Sequence, residues 1–398
     1  MSALRRVAPG DAHALSRPGA VPRSLSSPFT GPRAGACAAL AALQLTACAA
    51  AQRGSAPETS AGAPSALSLT AAREVPGPLT PAEVATLLSA LAADSMEGRA
   101  TATPGAARAA ALLAAELKGA GARPAGDDGF LQRVPLAQPA AGGRRLVALP
   151  DFAAHDSIPT ERRRTGANVV AVIPGRDPAL RDEAVVVSAH YDHLGVREPV
   201  DGDSVFNGAD DDASGCVAVL GVARALARGP APRRTVVLLL ATGEEMGLLG
   251  TRWYLEHPAV PLARTVANLN VEMIARPDSL AGGAGRAWLT GFELSTLGPQ
   301  LRAAGMPLVP DPRPAQQFFW RSDNAAFVRR GIVAHTVSSY GMHRDYHTPR
   351  DEADRADPAH MAEVIRATTF AVRVLADGER PSWGAAGAPV PPPPRARP

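Results

Sequence analysis

AHYDHLG (residues 189–195), GADDDASG (208–215) and LLLATGEEMGLLG (238–250) follow one another in the middle of a chain of 398 residues. The apolar, β-branched run AVVVSA (184–189) has the character of a fully buried strand and delivers His190 and Asp192 at its end. TVVLLLA (235–241) does the same for Glu244 and Glu245. Between them, Asp210, Asp211 and Asp212 occupy a glycine-bracketed turn ahead of an alanine-rich helical pattern. Imidazoles and carboxylates gathered at strand ends are what a hydrolytic metal centre requires. In an open α/β sheet, ligands bind at the carboxyl ends of the strands.

Outward from that stretch, strands alternate with helices. Further strands are expected at 168–173, 266–274, 287–290 and 332–337, and helices at 213–227, 247–256, 294–304, 322–329 and 358–376. This order predicts an α/β fold, a three-layer α/β/α domain around a mostly parallel mixed sheet. Upstream, Thr80-Pro81-Ala82-Glu83 carries a helix-start signal, with Thr80 as cap, Pro81 in the first turn and Glu83 reaching back. A second helix is expected from 104 to 118, closed by Gly119 and Gly121. Only some thirty residues separate Gln132 from Gly166, so a single domain over 80–377 is expected, without an inserted one.

The flanks read differently. Residues 1–48 combine a basic region, a short apolar core and Leu45-Thr46-Ala47-Cys48, a secretory signal with a lipobox-like end. Segment 49–79 is a flexible Ala/Ser/Gly/Pro linker, and 378–398 a disordered proline-rich tail. The expectation is an exported protein, lipid-anchored through Cys48 to a bacterial membrane facing the periplasm or exterior, and otherwise secreted. The net charge of +3 predicts no nucleic-acid partner. Cysteine is limited to Cys37, Cys48 and Cys216, which excludes a disulfide framework and leaves Cys216 as a small buried residue.

Residue types and spacing assign the chemistry. Asp192 shares strand parity with His190, within reach of its imidazole. Asp211, in a tight loop, could bridge two cations. Adjacent Glu244 and Glu245 point different ways, so Glu245 can bind metal while Glu244 faces the attacking water. Glu272 in NVEMIAR (270–276) and His347 in YHTPRDE (346–352) complete two histidines and three carboxylates. That set suffices for two zinc ions roughly 3.5–4 Å apart sharing one carboxylate. The remaining residues take plainer roles. His13, His155, His257 and His360 are assigned to the surface and His335 to the core; His193 and His343 flank ligand blocks and are read as bystanders, with contact to substrate as the lesser alternative. Trp253 and Tyr254 read as packing, and Phe318, Phe319 and Trp320 as core, with the lining of a pocket as the alternative.

These blocks, with RSDNAAF (321–327), stand in the order and approximate spacing of clan MH metallopeptidases, and residues 80–376 resemble that family. It includes the bacterial di-zinc leucyl aminopeptidases, glutamate carboxypeptidase and glutaminyl cyclase. The resemblance implies that His190 and Glu272 serve one zinc, Glu245 and His347 the other, and Asp211 bridges them. It implies Glu244 as general base, Tyr346 as a donor to the developing oxyanion, and Asp192 and Asp212 as supporting carboxylates. Two departures stand out. Glu272 occupies a position where aspartate is commoner, so either it or Asn270 faces the metal; Asn324 replaces a common histidine, leaving Asp323 beside the site. The implied activity is a zinc-dependent exopeptidase acting on peptides, with an aminopeptidase preferred. A carboxypeptidase, a one-zinc glutaminyl cyclase and a non-catalytic scaffold are the alternatives.

Overall fold

The computed structural model describes residues 78–143 and 145–391. Every described residue lies within the unit Ser65–Pro398. The signal, the lipobox at Cys48 and nearly all of the linker lie outside the described residues, as do the last seven positions.

The first helix, α1 (Pro81–Leu91), begins with the expected capping box: the Glu83 amide donates to Thr80 Oγ1 and the Thr80 amide to the Glu83 carboxylate. Helix α2 (Pro104–Ala120) ends at Gly121, whose φ of 93° only glycine adopts readily. Then come β1 (Arg123–Pro124), β2 (Leu131–Ala137), β3 (Val147–Ala148), the short α3 (Phe152–Ser157), β4 (Arg163–Ile173) and β5 (Ala184–His190). A hairpin of β6 (Gly195–Val200) and β7 (Asp203–Phe206) precedes α4 (Gly215–Arg228), β8 (Thr235–Ala241) and α5 (Leu249–Glu256). The chain continues through β9 (Thr265–Val271), β10 (Ala287–Leu289), α6 (Leu297–Ala303), β11 (Leu308–Pro310), α7 (Asn324–Val328), β12 (Val333–Ser338) and α8 (Pro358–Asp377).

Among the described residues, ten strands form one mixed sheet, in the order β11-β10-β12-β9-β5-β8-β4-β2-β3, with β1 also on β4. Its centre, β12-β9-β5-β8, is parallel; β4 runs antiparallel to β8, and β2 antiparallel to β4. Alternate residues of the central strands face opposite helical layers. Val185, Val187, Leu238 and Leu240 meet α1, α2, α4 and α8, whereas Val186, Val237 and Leu239 meet α5 and α7. Both faces being covered, β5 and β8 are mostly apolar along their length, while β9 buries Asn268 and Asn270 and β12 buries His335 and Thr336. The parallel centre sends the ends of β5, β8, β9 and β12 to the same side of the sheet.

Three differences from the sequence expectation have physical causes. The hairpin of β2 with β4 was not anticipated, because LQRVPLA carries Pro135, a residue that argues against a strand interior. The linker stops short of 79: Pro78 and Leu79 are buried, Leu79 within the core. The tail starts later than 378. Trp383 bridges to Ser295 and donates its indole N–H to the Gly331 carbonyl, tying this segment down.

Candidate metal centre and its surroundings

The last residue of β5 is His190; the turn after β8 supplies Glu244 and Glu245, the end of β9 leads to Glu272, and the loop after β12 supplies Tyr346 and His347. Asp211 lies in the irregular turn 209–214 just before α4. All five expected metal-binding residues converge. His190 Nε2 is 3.2 Å from Asp211 Oδ1 and 4.0 Å from Glu272 Oε1. His347 Nε2 is 3.0 Å from Asp211 Oδ2 and 3.1 Å from Glu245 Oε1. Asp211 thus turns one carboxylate oxygen to each group. The donor atoms form two sets, His190/Asp211/Glu272 and His193/Asp211/Glu245/His347, each within 4.8 Å of one another. His190 Nε2 and Glu245 Oε1 are buried without hydrogen-bond partners. Orphaned lone pairs converging on shared space fit divalent metal better than they fit a packed core.

His193 reads from the sequence as a bystander beside a ligand block, with contact to substrate as the lesser alternative. Its ring is fully buried, with Nδ1 3.1 Å from Glu245 Oε1 and 3.8 Å from Asp211 Oδ2. The signal was present in the sequence: His193 follows His190 by three residues at a strand end. In an extended strand those two would face opposite ways, and only the turn brings them together.

The supporting carboxylates do different work from that expected. Asp192 does not orient the imidazole through its side chain. The Asp192 backbone carbonyl lies 3.0 Å from His190 Nδ1, whereas its carboxylate is 3.8 Å away. That carboxylate accepts the Thr101 hydroxyl at 2.8 Å and the Glu244 amide at 3.1 Å, fixing the backbone of the expected base. Asp212 accepts the amides of His190, Gly215 and Met273, joining the ends of β5 and β9 to the start of α4. Asp351 accepts the amides of Asp210 and Asp211. The fully buried Arg99 donates to the carbonyls of Leu91, Tyr191, Asn207 and Gly208, lacing both ligand loops together.

Asn270 points away from the cluster, to Ser188, Ser322 and Thr336, which leaves Glu272 as the donor from this block. Asn324 has a structural role, donating to the Phe319 carbonyl and accepting from Thr336. Asp323 is buried with both oxygens lacking hydrogen bonds. Cys216 is buried, its thiol donating to the His190 carbonyl. His335 is core, as expected. His155 and His360, assigned to the surface, are buried, and His360 bridges Gly285 and Ser339. His343 bonds Asp210 at 2.8 Å. Phe318 takes the alternative of the two readings open to it: stacked on Trp288 at 5.4 Å, it lines the cavity that opens onto the clustered carboxylates.

Burial and mutual repulsion govern the charges. Burial pushes the Glu244 carboxyl well above its ordinary value, against the pull of His190. Burial likewise raises Glu272, to about 7. For Glu245, burial and Asp211 push upward, but contacts with His193 and His347 win and bring it down to about 2. His347 rises to about 9, because Asp211 and Glu245 outweigh burial. Burial and the surrounding carboxylates raise the Tyr346 hydroxyl, so it stays protonated and able to donate; its ring stacks on His347 at 3.9 Å. A histidine held as a cation by carboxylates must release its proton to ligate, so metal uptake here is coupled to proton loss.

The fold of this chain is shared with solved zinc aminopeptidases. A zinc aminopeptidase from Bacillus subtilis superposes with a TM-score of 0.54 at 16% identity, covering 77% of this chain and 97% of that one. Residues 168–372 match the model of peptidase family M28, and the chain belongs to that family. Among curated relatives, a vacuolar membrane protease of Tuber melanosporum is 28% identical over 222 residues, 53% of this chain and 21% of the relative. A probable leucine aminopeptidase 2 of Aspergillus oryzae is 32% identical over 183 residues, 43% of this chain and 33% of the relative. The chain therefore spans a third or less of the length of these relatives. The expected bacterial, lipid-anchored location is corrected by these matches, since relatives named vacuolar membrane proteases are fungal. Among the described residues, no helix is long and apolar enough to cross a membrane.

Proposed function

We propose that this chain is a two-zinc aminopeptidase that removes apolar amino-terminal residues from peptides. The observation that carries the reading is Asp211, which turns Oδ1 to His190 and Oδ2 to His347 between two donor sets. His190, Asp211 and Glu272 would hold one ion, and Glu245, His347 and Asp211 the other. Bound zinc supplies Lewis-acid polarisation of the scissile carbonyl and makes water acidic enough to attack near neutral pH. Glu244, its backbone held by Asp192, accepts the proton of the attacking water and returns it to the departing amine. Tyr346 donates its hydroxyl hydrogen to the oxygen that gains charge.

The lining supports an amine-recognising site. Among the described residues, Asp211, Glu244, Glu245 and Glu272 ring the cavity against a single arginine, Arg321, which lies over the Phe318 ring. With Asp211, Glu245 and Glu272 offset by the charge of the two ions, Glu244 is the lining acid left to face a free amino terminus. Trp288, Phe318 and Tyr340 offer an aromatic wall for the adjoining side chain. The zinc-loaded protein is expected to cleave leucyl-nitroanilide and to spare the N-blocked analogue and peptides presenting only a free carboxyl end. Cyclisation of amino-terminal glutamine peptides without any nitroanilide cleavage would replace this reading with a glutaminyl cyclase.

A further inference from the structure

We propose that His193 is itself a metal ligand, and that the two ions are held unequally for that reason. One ion takes four protein donors, from His193, Asp211, Glu245 and His347; the other takes three, from His190, Asp211 and Glu272. The proposal rests on the metallopeptidase reading above and assigns within it a sixth ligand.

Four separations carry the argument. Glu245 Oε1 lies 3.1 Å from both His193 Nδ1 and His347 Nε2, and Asp211 Oδ2 lies 3.0 Å from His347 Nε2 and 3.8 Å from His193 Nδ1. Zinc–ligand bonds of 2.0–2.1 Å in a tetrahedron put neighbouring donor atoms about 3.3 Å apart, within the span of these distances. The two imidazoles stand edge-on, ring centres 5.5 Å apart at 73°, so their nitrogens converge without stacking. Neither ring nitrogen of His193 makes a hydrogen bond among the described residues, although the side chain is fully buried. A buried imidazole with a lone pair aimed at two carboxylates and a second imidazole has the surroundings of a ligand.

The loop is shaped to hold that ring. Gly208 has a φ of +56°, and a Cβ there would come within 2.5 Å of the His193 ring. Arg99 fixes both sides, accepting the His193 amide on its own carbonyl and donating to the Gly208 carbonyl. Among the described residues, no comparable second histidine joins the His190 group.

A division of labour follows from the donor count. Four protein donors fill a tetrahedral zinc, whereas three leave a position open for reacting groups. The ion at His193 and His347 binds first and tighter, and the ion at His190 and Glu272 binds second and keeps the open position.

The test is calorimetric titration of the chelator-stripped full chain with zinc, supported by the visible spectrum of its cobalt form. The wild type takes up two ions in separate steps, and the first cobalt equivalent gives four-coordinate bands. His193→Ala and His193→Gln each weaken the tighter step by about 100-fold or more, beyond what losing a supporting partner does, and lose those bands. His190→Ala keeps the tighter step and loses the weaker. If His193→Gln keeps the wild-type first step, His193 merely hydrogen-bonds Glu245 and the proposal falls. Two equal steps in the wild type would overturn the inequality. A wild type that binds no zinc would instead remove the metallopeptidase reading itself.

Discussion

Val187 and His190 lie three residues apart on β5, and each is exposed to 1% or less. Around Val187 everything is apolar: the strand centres and the inward faces of α1, α2, α4 and α8 form one continuous cluster. Around His190 almost everything is ionisable, with Arg99, Asp192, Asp211, Asp212, Asp323 and Asp351 all within 2% of complete burial. The first layer gains free energy from removing area from water, at roughly 25 cal/mol per Å². The second loses it on desolvation, and is held by hydrogen bonds from backbone amides and from Arg99. Equal burial therefore serves opposite ends: the apolar layer supplies stability, and the ionic layer draws on it to keep charges poised for metal.

The sharpest way to separate the layers is Glu244→Ala. It is expected to lower kcat by about 1,000-fold, the range of a lost general base, while zinc content by elemental analysis and the melting temperature stay near wild type. A variant that turns over normally would take Glu244 out of the mechanism. Next comes Arg99→Leu, which leaves the buried carbonyls of Leu91, Tyr191 and Asn207 without a donor, while that of Gly208 keeps the Ala213 amide. A loss of about 3–5 kcal/mol in urea unfolding is expected, together with weaker zinc binding as the Gly208 loop relaxes. A fall in stability with unchanged metal affinity would show that the two ligand loops do not depend on each other.

Leu113→Ala probes the apolar layer from α2, where Leu113 is fully buried. It should cost about 2–4 kcal/mol and leave metal binding and pH profile untouched; a change in either would break the separation. The smallest effect concerns His335, in the core and away from the donors. Its Nδ1 donates to the Thr290 carbonyl and its Nε2 accepts the Ser295 hydroxyl, which selects the neutral ring. Burial pushes it down from 6.5 to about 4, against the Thr290 bond. The folded state therefore resists protonation. Its contribution is complete above pH 6.5 and is lost as pH falls toward 4. His335→Gln should flatten the melting temperature over that window, and an unchanged slope would assign acid sensitivity to other groups.

Much of this was legible in the chain. Apolar, β-branched runs ending in histidine or acid mark strands by their own composition, which is why the strands carrying His190, Glu244 and Glu272 could be placed. The alternation of strands with helices then implies the layered fold. Pro135 concealed β2, because a proline there reads as a break until β4 is seen to pair with it. His360 looked like a surface residue because nothing local shows that Gly285 and Ser339 close over it.

By itself, then, the sequence determined the central strands and the main helices, their class of fold and the five side chains proposed as donors, since propensity and motif spacing are local properties. Only the tertiary structure decided that Asp192 holds the backbone of Glu244 rather than the imidazole, that Arg99 joins two ligand loops, and that His193 turns toward Glu245. Those assignments depend on where a turn sends a side chain after its strand ends. That direction is fixed by contacts between residues as distant in the chain as Arg99 and Gly208, 109 positions apart, which no local pattern records.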